Sequence, residues 1–150
     1  MLVAIDTSVL VALLNPRDAW HAQALALQDA MLAADVTPMY FDCVAAEAIS
    51  TVARRLREKG RAAEVPDVMA RLETRVPRDL FTWLYPDVPR LYLHVLDLIR
   101  ATSGELNFND ALIALACRER SIPAIASFDP DFDRLDWLKR IADPASIPSR

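Results

Sequence analysis

Residues 2–14 read LVAIDTSVLVALL, and the order of these residues decides the architecture. Leu2 to Ile5 form a short run with no polar member, the pattern of a strand buried on both faces. Thr7 to Leu14 favour a helix that stops near Asn15-Pro16. Asp6 stands alone at the junction. A strand that runs into a helix through a single carboxylate is the opening of a βα unit, with an acid at the strand's carboxyl end.

The same alternation continues outward. From Asp18 to Ala34, recurring Ala, Leu, Trp and Met predict a second helix. Pro38 to Phe41 read as a second short strand, with Asp42 placed to cap the helix that follows. On that helix Ala45, Ala48, Ile49, Val52 and Leu56 recur at helical spacing as one buried stripe, and Gly60 supplies the stop signal. Residues 61–75 and 88–103 predict two more helices, the second with Pro89 in its first turn. Asn109 introduces a helix unusually rich in small residues, Ala111 to Cys117. Pro123 to Ser127 form a third strand, and Trp137 to Ile141 a last one at the sheet edge. Strands alternating with helices predict an α/β fold whose short parallel sheet is covered on both sides, within one domain over 1–150.

Composition narrows the function classes. Two glycines, Gly60 and Gly104, are too few for a phosphate-cradling glycine loop. No apolar run approaches a membrane span, and the N-terminus lacks the basic start of a signal peptide, so a cytoplasmic location is expected. Cys43 and Cys117 are single and set among apolar residues, which predicts buried thiols. His21 and His94 fall within helical segments and read as surface or partly packed side chains. The net charge of −4 provides no general attraction for nucleic acid, so a polyanionic partner requires a local basic patch or a bound cation. Arg54, Arg55, Arg57, Lys59 and Arg61 form such a cluster, although they equally suit a solvated helix C-terminus.

The acids carry the chemistry. Asp6 and Asp129 each follow a strand, Glu47 lies early in the helix after the second strand, and Asp110 lies in the first turn of the small-residue helix. In open parallel sheets ligands bind beyond the carboxyl ends of the strands, where these positions converge. Counting 100° per residue turns Glu47 roughly opposite the Ala45/Ile49/Val52 stripe. Each acid alone has a plainer role as a helix cap, a dipole complement, a turn residue or a solvated surface group. Only their joint placement at one end of the sheet points to a site.

Carboxylates crowded in one cleft raise one another's pKa, and a divalent cation resolves the conflict. Oxygen donors without Cys or His at ligand spacing select Mg²⁺ or Mn²⁺ over zinc. The chemistry on offer is metal-assisted hydrolysis of a phosphate ester. The stretch SFDPDFDRLDW (127–137) begins like an EF-hand loop, but Arg134 replaces the required glycine and Arg140 the twelfth-position acid.

The segments Ile5-Asp6-Thr7-Ser8-Val9-Leu10, Ala45-Ala46-Glu47-Ala48-Ile49, Asp110-Ala111-Leu112-Ile113-Ala114 and Ser127-Phe128-Asp129-Pro130-Asp131-Phe132 resemble, in order, those of PIN domains. The nearest likeness is to VapC-type toxin ribonucleases. The resemblance implies a three-layer α/β/α fold, Mg²⁺- or Mn²⁺-dependent cleavage of RNA, a homodimer and a small antitoxin partner. It carries the four acidic positions onto Asp6, Glu47, Asp110 and Asp129, and an additional acid onto Asp131. Asp6, Asp110, Asp129 and Asp131 are the expected metal ligands, and Glu47 acts directly or through water. Thr7, Ser8 and Ser127 are expected to line the site, with Arg54, Arg55 and Arg57 as RNA contacts. Asn109 departs from the pattern, standing where a small residue is common. Asp133 and Asp136 are expected to flank a short surface helix, their charge offset by Arg134. An apolar groove formed by the first two helices and the 61–75 region would suit a second copy or an antitoxin helix. Residues 76–103 match no motif. Two other readings stay open: a phosphohydrolase of the haloacid-dehalogenase type, although Ser8 stands where its second acid belongs, or of another Mg²⁺-dependent type, and a catalytically silent PIN-like binding scaffold.

Overall fold

The computed structural model describes residues 1–147. Five parallel strands form the sheet: β1 (Leu2–Ile5), β2 (Thr37–Phe41), β3 (Phe81–Thr82), β4 (Ala124–Ala126) and β5 (Lys139–Ile141). Their spatial order is β3-β2-β1-β4-β5. Val3, Ala4 and Ile5 pair with Ala124, Ile125 and Ala126, and all six are buried. That burial is the physical counterpart of an apolar run without alternation.

The chain enters in the middle of the sheet and builds outward through β2 to β3. It then crosses back to place β4 on the other side of β1. Helices α1 (Thr7–Leu14), α2 (His21–Ala33), α3 (Asp42–Glu58) and α4 (Val65–Arg75) belong to the first direction; α5 (Val88–Ala101) and α6 (Phe108–Glu119) belong to the return. Right-handed crossovers in opposite directions put the two groups on opposite faces, which gives the expected helix–sheet–helix layering. Within the groups α1 packs on α2 and α3, α3 packs on α4, and α5 packs on α6. Reversal of direction between β1 and β4 creates a crevice at their carboxyl ends.

Several local details differ from the sequence expectations. The edge strand β3 lies inside the segment that matched no motif, and its two residues pair with Tyr40 and Phe41. The cap of α6 is Asn107, not Asn109: its side chain accepts from the Asp110 N–H at 2.9 Å while Asp110 accepts from the Asn107 N–H at 3.2 Å. Asp42 is the first residue of α3, and Phe41 holds the cap position. Buried Asp42 accepts from the backbone N–H groups of Leu84 at 2.7 Å and Tyr85 at 3.0 Å, so it fastens the chain after β3 to the start of α3. Ile49 is only partly buried; Ala45, Ala48, Val52 and Leu56 form the buried stripe. Gly60 supplies the expected stop just beyond α3, which ends at Glu58: its φ of 67° suits glycine, and the Arg61 N–H returns to the Leu56 carbonyl. Cys43 and Cys117 are buried free thiols, each pushed up to about 12 chiefly by burial. Among the described residues no helix is long and apolar enough to cross a membrane.

Candidate active site

Four acids reach one cleft of about 430 Å3 at the β1/β4 crevice: Asp6 from the end of β1, Glu47 from α3, Asp110 from α6 and Asp129 from beyond β4. Thr7, Ser8, Arg54 and Arg55 also line it, and so do Asp18, Trp20, Asn107 and Phe128. Burial differs among the acids. Asp6 is 3% exposed and Asp110 8%, whereas Glu47 and Asp129 are partly open.

Asp6 is held by hydroxyls. Its Oδ2 accepts from Ser8 Oγ at 2.6 Å, from Ser127 Oγ at 2.7 Å and from the Ser8 N–H at 3.3 Å. Ser127 itself is fully buried under the cleft and accepts from the Asp129 N–H at 3.0 Å. Ser8 Oγ accepts from the Phe128 N–H at 3.0 Å. Two serines thereby tie the loop after β4 to the start of α1, which fixes the relative position of Asp6 and Asp129. Burial pushes the Asp6 carboxyl up despite these donors, which favour the charged form.

Asp110 shows the electrostatic state of the cleft. Burial pushes its carboxyl up to about 7, against the hydrogen bond from the Asn107 backbone, and the charges of Asp6, Glu47 and Asp129 add to the rise. Glu47 is steered by two donors: Asn109 Nδ2 reaches its Oε2 at 2.9 Å and Thr7 Oγ1 the same oxygen at 3.4 Å. Asn109, which on sequence stood out only as a departure, therefore holds an acid across the cleft. Asp129 accepts from the Asp131 N–H at 2.9 Å and caps the short 3₁₀ turn Pro130–Arg134.

Asp131 and Arg57 are not brought to the cleft wall. Asp131 faces Arg134 at 3.9 Å, and Arg57 is exposed on α3. Asp133 is paired bidentately with Arg140, at 2.9 and 2.7 Å, while Arg134 turns to Glu105 at 3.3 Å; the expected offset of Asp133 by Arg134 is replaced by a partner on β5. The apolar groove also differs in its walls. Two separate hollows stand in its place: one of about 320 Å3 beside α4, lined by Leu72, Val76, Pro77, Phe81 and Trp83, and one of about 250 Å3 lined by Met31 and Leu32 of α2 with Val36, Pro38 and Tyr40.

Sequence reasoning missed Asn107, Asp18, Trp20 and Phe128 as cleft residues. Asn107 and Asp110 do carry a readable signal, the three-residue spacing of a capping box. Trp20 and Phe128 meet only through the fold, and nothing local marks them.

The donor set is all oxygen, it gathers like charges under partial burial, and a hard divalent cation is the partner that such a set fits. Among the described residues no three Asp, Glu, His or Cys side chains form a ready-made ion cage as they stand.

Acids thus stand at the carboxyl ends of β1 and β4, in the second turn of α3 and in the first turn of α6. The PIN domain family matches residues 3–138. The chain belongs to the PIN domain family. Among solved structures it is similar to the VapC20 toxin of Mycobacterium tuberculosis, a sarcin–ricin-loop-cleaving protein, with a TM-score of 0.69 and 22% sequence identity. That likeness covers 90% of this chain and 95% of the toxin, and at such identity it establishes the shared fold. No curated protein sequence matches.

Proposed function

We propose that this PIN domain is an endoribonuclease that hydrolyses RNA phosphodiesters with the help of Mg²⁺ or Mn²⁺, as the toxin of a VapC-type pair with a small antitoxin. One observation carries the reading: four carboxylates from four different parts of the chain face one cleft, where burial and the neighbouring acids push the Asp110 carboxyl up to about 7. Unneutralised, that cleft repels a phosphodiester; with a cation it becomes a phosphate site. A cytoplasmic setting and a homodimer belong to the same proposal, as does a single functional unit over 1–150.

In this reading Asp6, Asp110 and Asp129 would hold the ion, with Glu47 beside them directly or through water. Asp131, away from the cleft wall, is a secondary candidate. When bound, the ion would lower the pKa of a water and offset charge on the scissile phosphate. The chain's own groups do the rest. Ser8 and Ser127 keep Asp6 aimed and favour its charged form. Asn109 and Thr7 orient Glu47, and Asn107 fixes the backbone that presents Asp110. Arg54 and Arg55 stand on the cleft rim, where a flanking phosphate would find positive charge.

The haloacid-dehalogenase alternative requires a second acid two residues after Asp6. Ser8 occupies that place and its hydroxyl donates to Asp6. Cleavage of labelled RNA followed by end-group analysis tests the proposal. It expects 5′-phosphate and 3′-hydroxyl ends and complete loss of cutting in EDTA. A 2′,3′-cyclic phosphate, or cutting undiminished by EDTA, would contradict it.

A further inference from the structure

Trp20 is 50% exposed, yet it is not loosely held. Its ring stacks on Phe128 with centroids 5.0 Å apart and planes 18° from parallel. Phe128 sits between buried Ser127, bonded to Asp6, and Asp129, and its N–H donates to Ser8. The Trp20 backbone is fixed as well: its N–H donates to Asp18 Oδ1 at 2.9 Å, and its carbonyl accepts from Ala24 as α2 begins. Asp18 in turn holds Arg55 at 3.2 Å.

Two hollows meet at this ring. One is the acidic cleft of about 430 Å3; the other, of about 480 Å3, is lined by Arg17, Lys59 and Arg55 together with Asn15 and Asp18. Asp18, Trp20 and Arg55 belong to both. The sequence of chemistries across the surface is thus carboxylates, aromatic face, cations. A single-stranded nucleic acid presents the matching sequence: a phosphate to be cut, an unpaired base, and the next phosphate along. A rigid aromatic held half-exposed between an anion-repelling, cation-requiring floor and a basic shelf has no packing need for its free surface.

We propose that Trp20, backed by Phe128, is a nucleobase-stacking subsite that seats one unpaired base of an RNA strand beside the scissile phosphate, with the strand continuing over Arg17 and Lys59. The inference rests on the ribonuclease reading and deepens it. It makes the substrate at this point single-stranded and sequence-tolerant, because every base offers a π-face.

The test compares Trp20→Leu, which keeps apolar contact with Phe128, and Trp20→Phe, which keeps the stacking face. Both are placed on an Asp110→Asn background so that the RNA survives. Anisotropy titrations in Mg²⁺ use a labelled 12-nucleotide single-stranded RNA and the same strand with every base removed. Trp20→Leu should weaken binding roughly 5- to 150-fold, the range for one stacked base. Trp20→Phe should recover most of that loss. On the baseless strand the parent should lose at least the same factor, and Trp20→Leu should lose correspondingly less. Equal binding by Trp20→Leu and its parent overturns the subsite, and so does equal loss in both Trp20 variants or the same loss by parent and Trp20→Leu on the baseless strand. Cleavage by otherwise wild-type protein, measured alongside, separates the two ideas. If it cuts RNA while Trp20→Leu binds normally, only the subsite falls; if it neither cuts nor binds, the nuclease reading falls with it.

Discussion

Asp110 combines burial in the first turn of α6 with a carboxyl pushed up to about 7 from an ordinary 3.8, first by burial and then by its acidic neighbours. Between those two values the folded, metal-free protein holds a proton that the unfolded chain has released. Stability is therefore greatest at low pH and declines as pH rises through that window, by at most about 4 kcal/mol for this group. Asp6, raised by burial, acts in the same direction. Thermal melts in EDTA from pH 5 to pH 8 should show the decline. Asp110→Asn should reduce the slope and raise the pH 8 melting temperature above wild type; a lower melting temperature at pH 8 would refute the electrostatic account. At this scale the acids were legible because strand ends and first helical turns can be read from apolar runs. The hydroxyl and amide groups that aim them, Ser127 on Asp6 and Asn109 on Glu47, connect residues 121 and 62 positions apart, and no local pattern encodes that meeting.

Helix α3 shows how an element is anchored. Asp42 opens it, buried, and each carboxylate oxygen takes a backbone N–H from the segment after β3. Without those oxygens two N–H groups, one of them on fully buried Leu84, lose their partner. Asp42→Ala should cost about 2–4 kcal/mol in urea unfolding, from the penalty for buried unpaired groups. Its kcat should stay within a few-fold of wild type, because Asp42 does not line the cleft. A stability unchanged within error would mean that water replaces the carboxylate. Acid at the start of a helix reads naturally as a cap, and here tertiary contact takes that capacity for another segment. The strand β3 escaped sequence reading for a related reason: two residues have no periodicity, and only pairing with Tyr40 and Phe41 makes them a strand. By contrast β1 and β4, central and apolar on both faces, were legible as soon as they were met.

Across the whole molecule, a net charge of −4 must be reconciled with the polyanionic substrate proposed above. The cations are local: Arg54 and Arg55 on the cleft, Arg17 and Lys59 on the neighbouring hollow. Arg55 is partly spent on Asp18, so Arg54 is the freer of the pair for phosphate. Charge reversal of Arg54 and Arg55 together should flatten the dependence of log affinity on log salt by about 1–2. An unchanged slope would return both to the role of solvated helix-end charges. Fold class and the crevice at the β1/β4 reversal followed from strand–helix alternation. The side of each wall did not, which is why Asp131 was expected at a cleft that it does not line, and why Arg57 could not be told apart from Arg54 and Arg55, which do line it.

The central claim is that the four-acid cleft cuts RNA by ion-assisted hydrolysis, and Asp110→Asn addresses it directly. Wild-type and Asp110→Asn protein should be incubated with a panel of tRNA and rRNA fragments, with Mn²⁺, with Mg²⁺ and with EDTA, and the products resolved at nucleotide resolution. The account predicts discrete cleavage by wild type with either ion, none in EDTA, and a loss of about 100-fold or more in the variant. Cleavage by Asp110→Asn at the wild-type rate, or cutting that persists in EDTA, would contradict it.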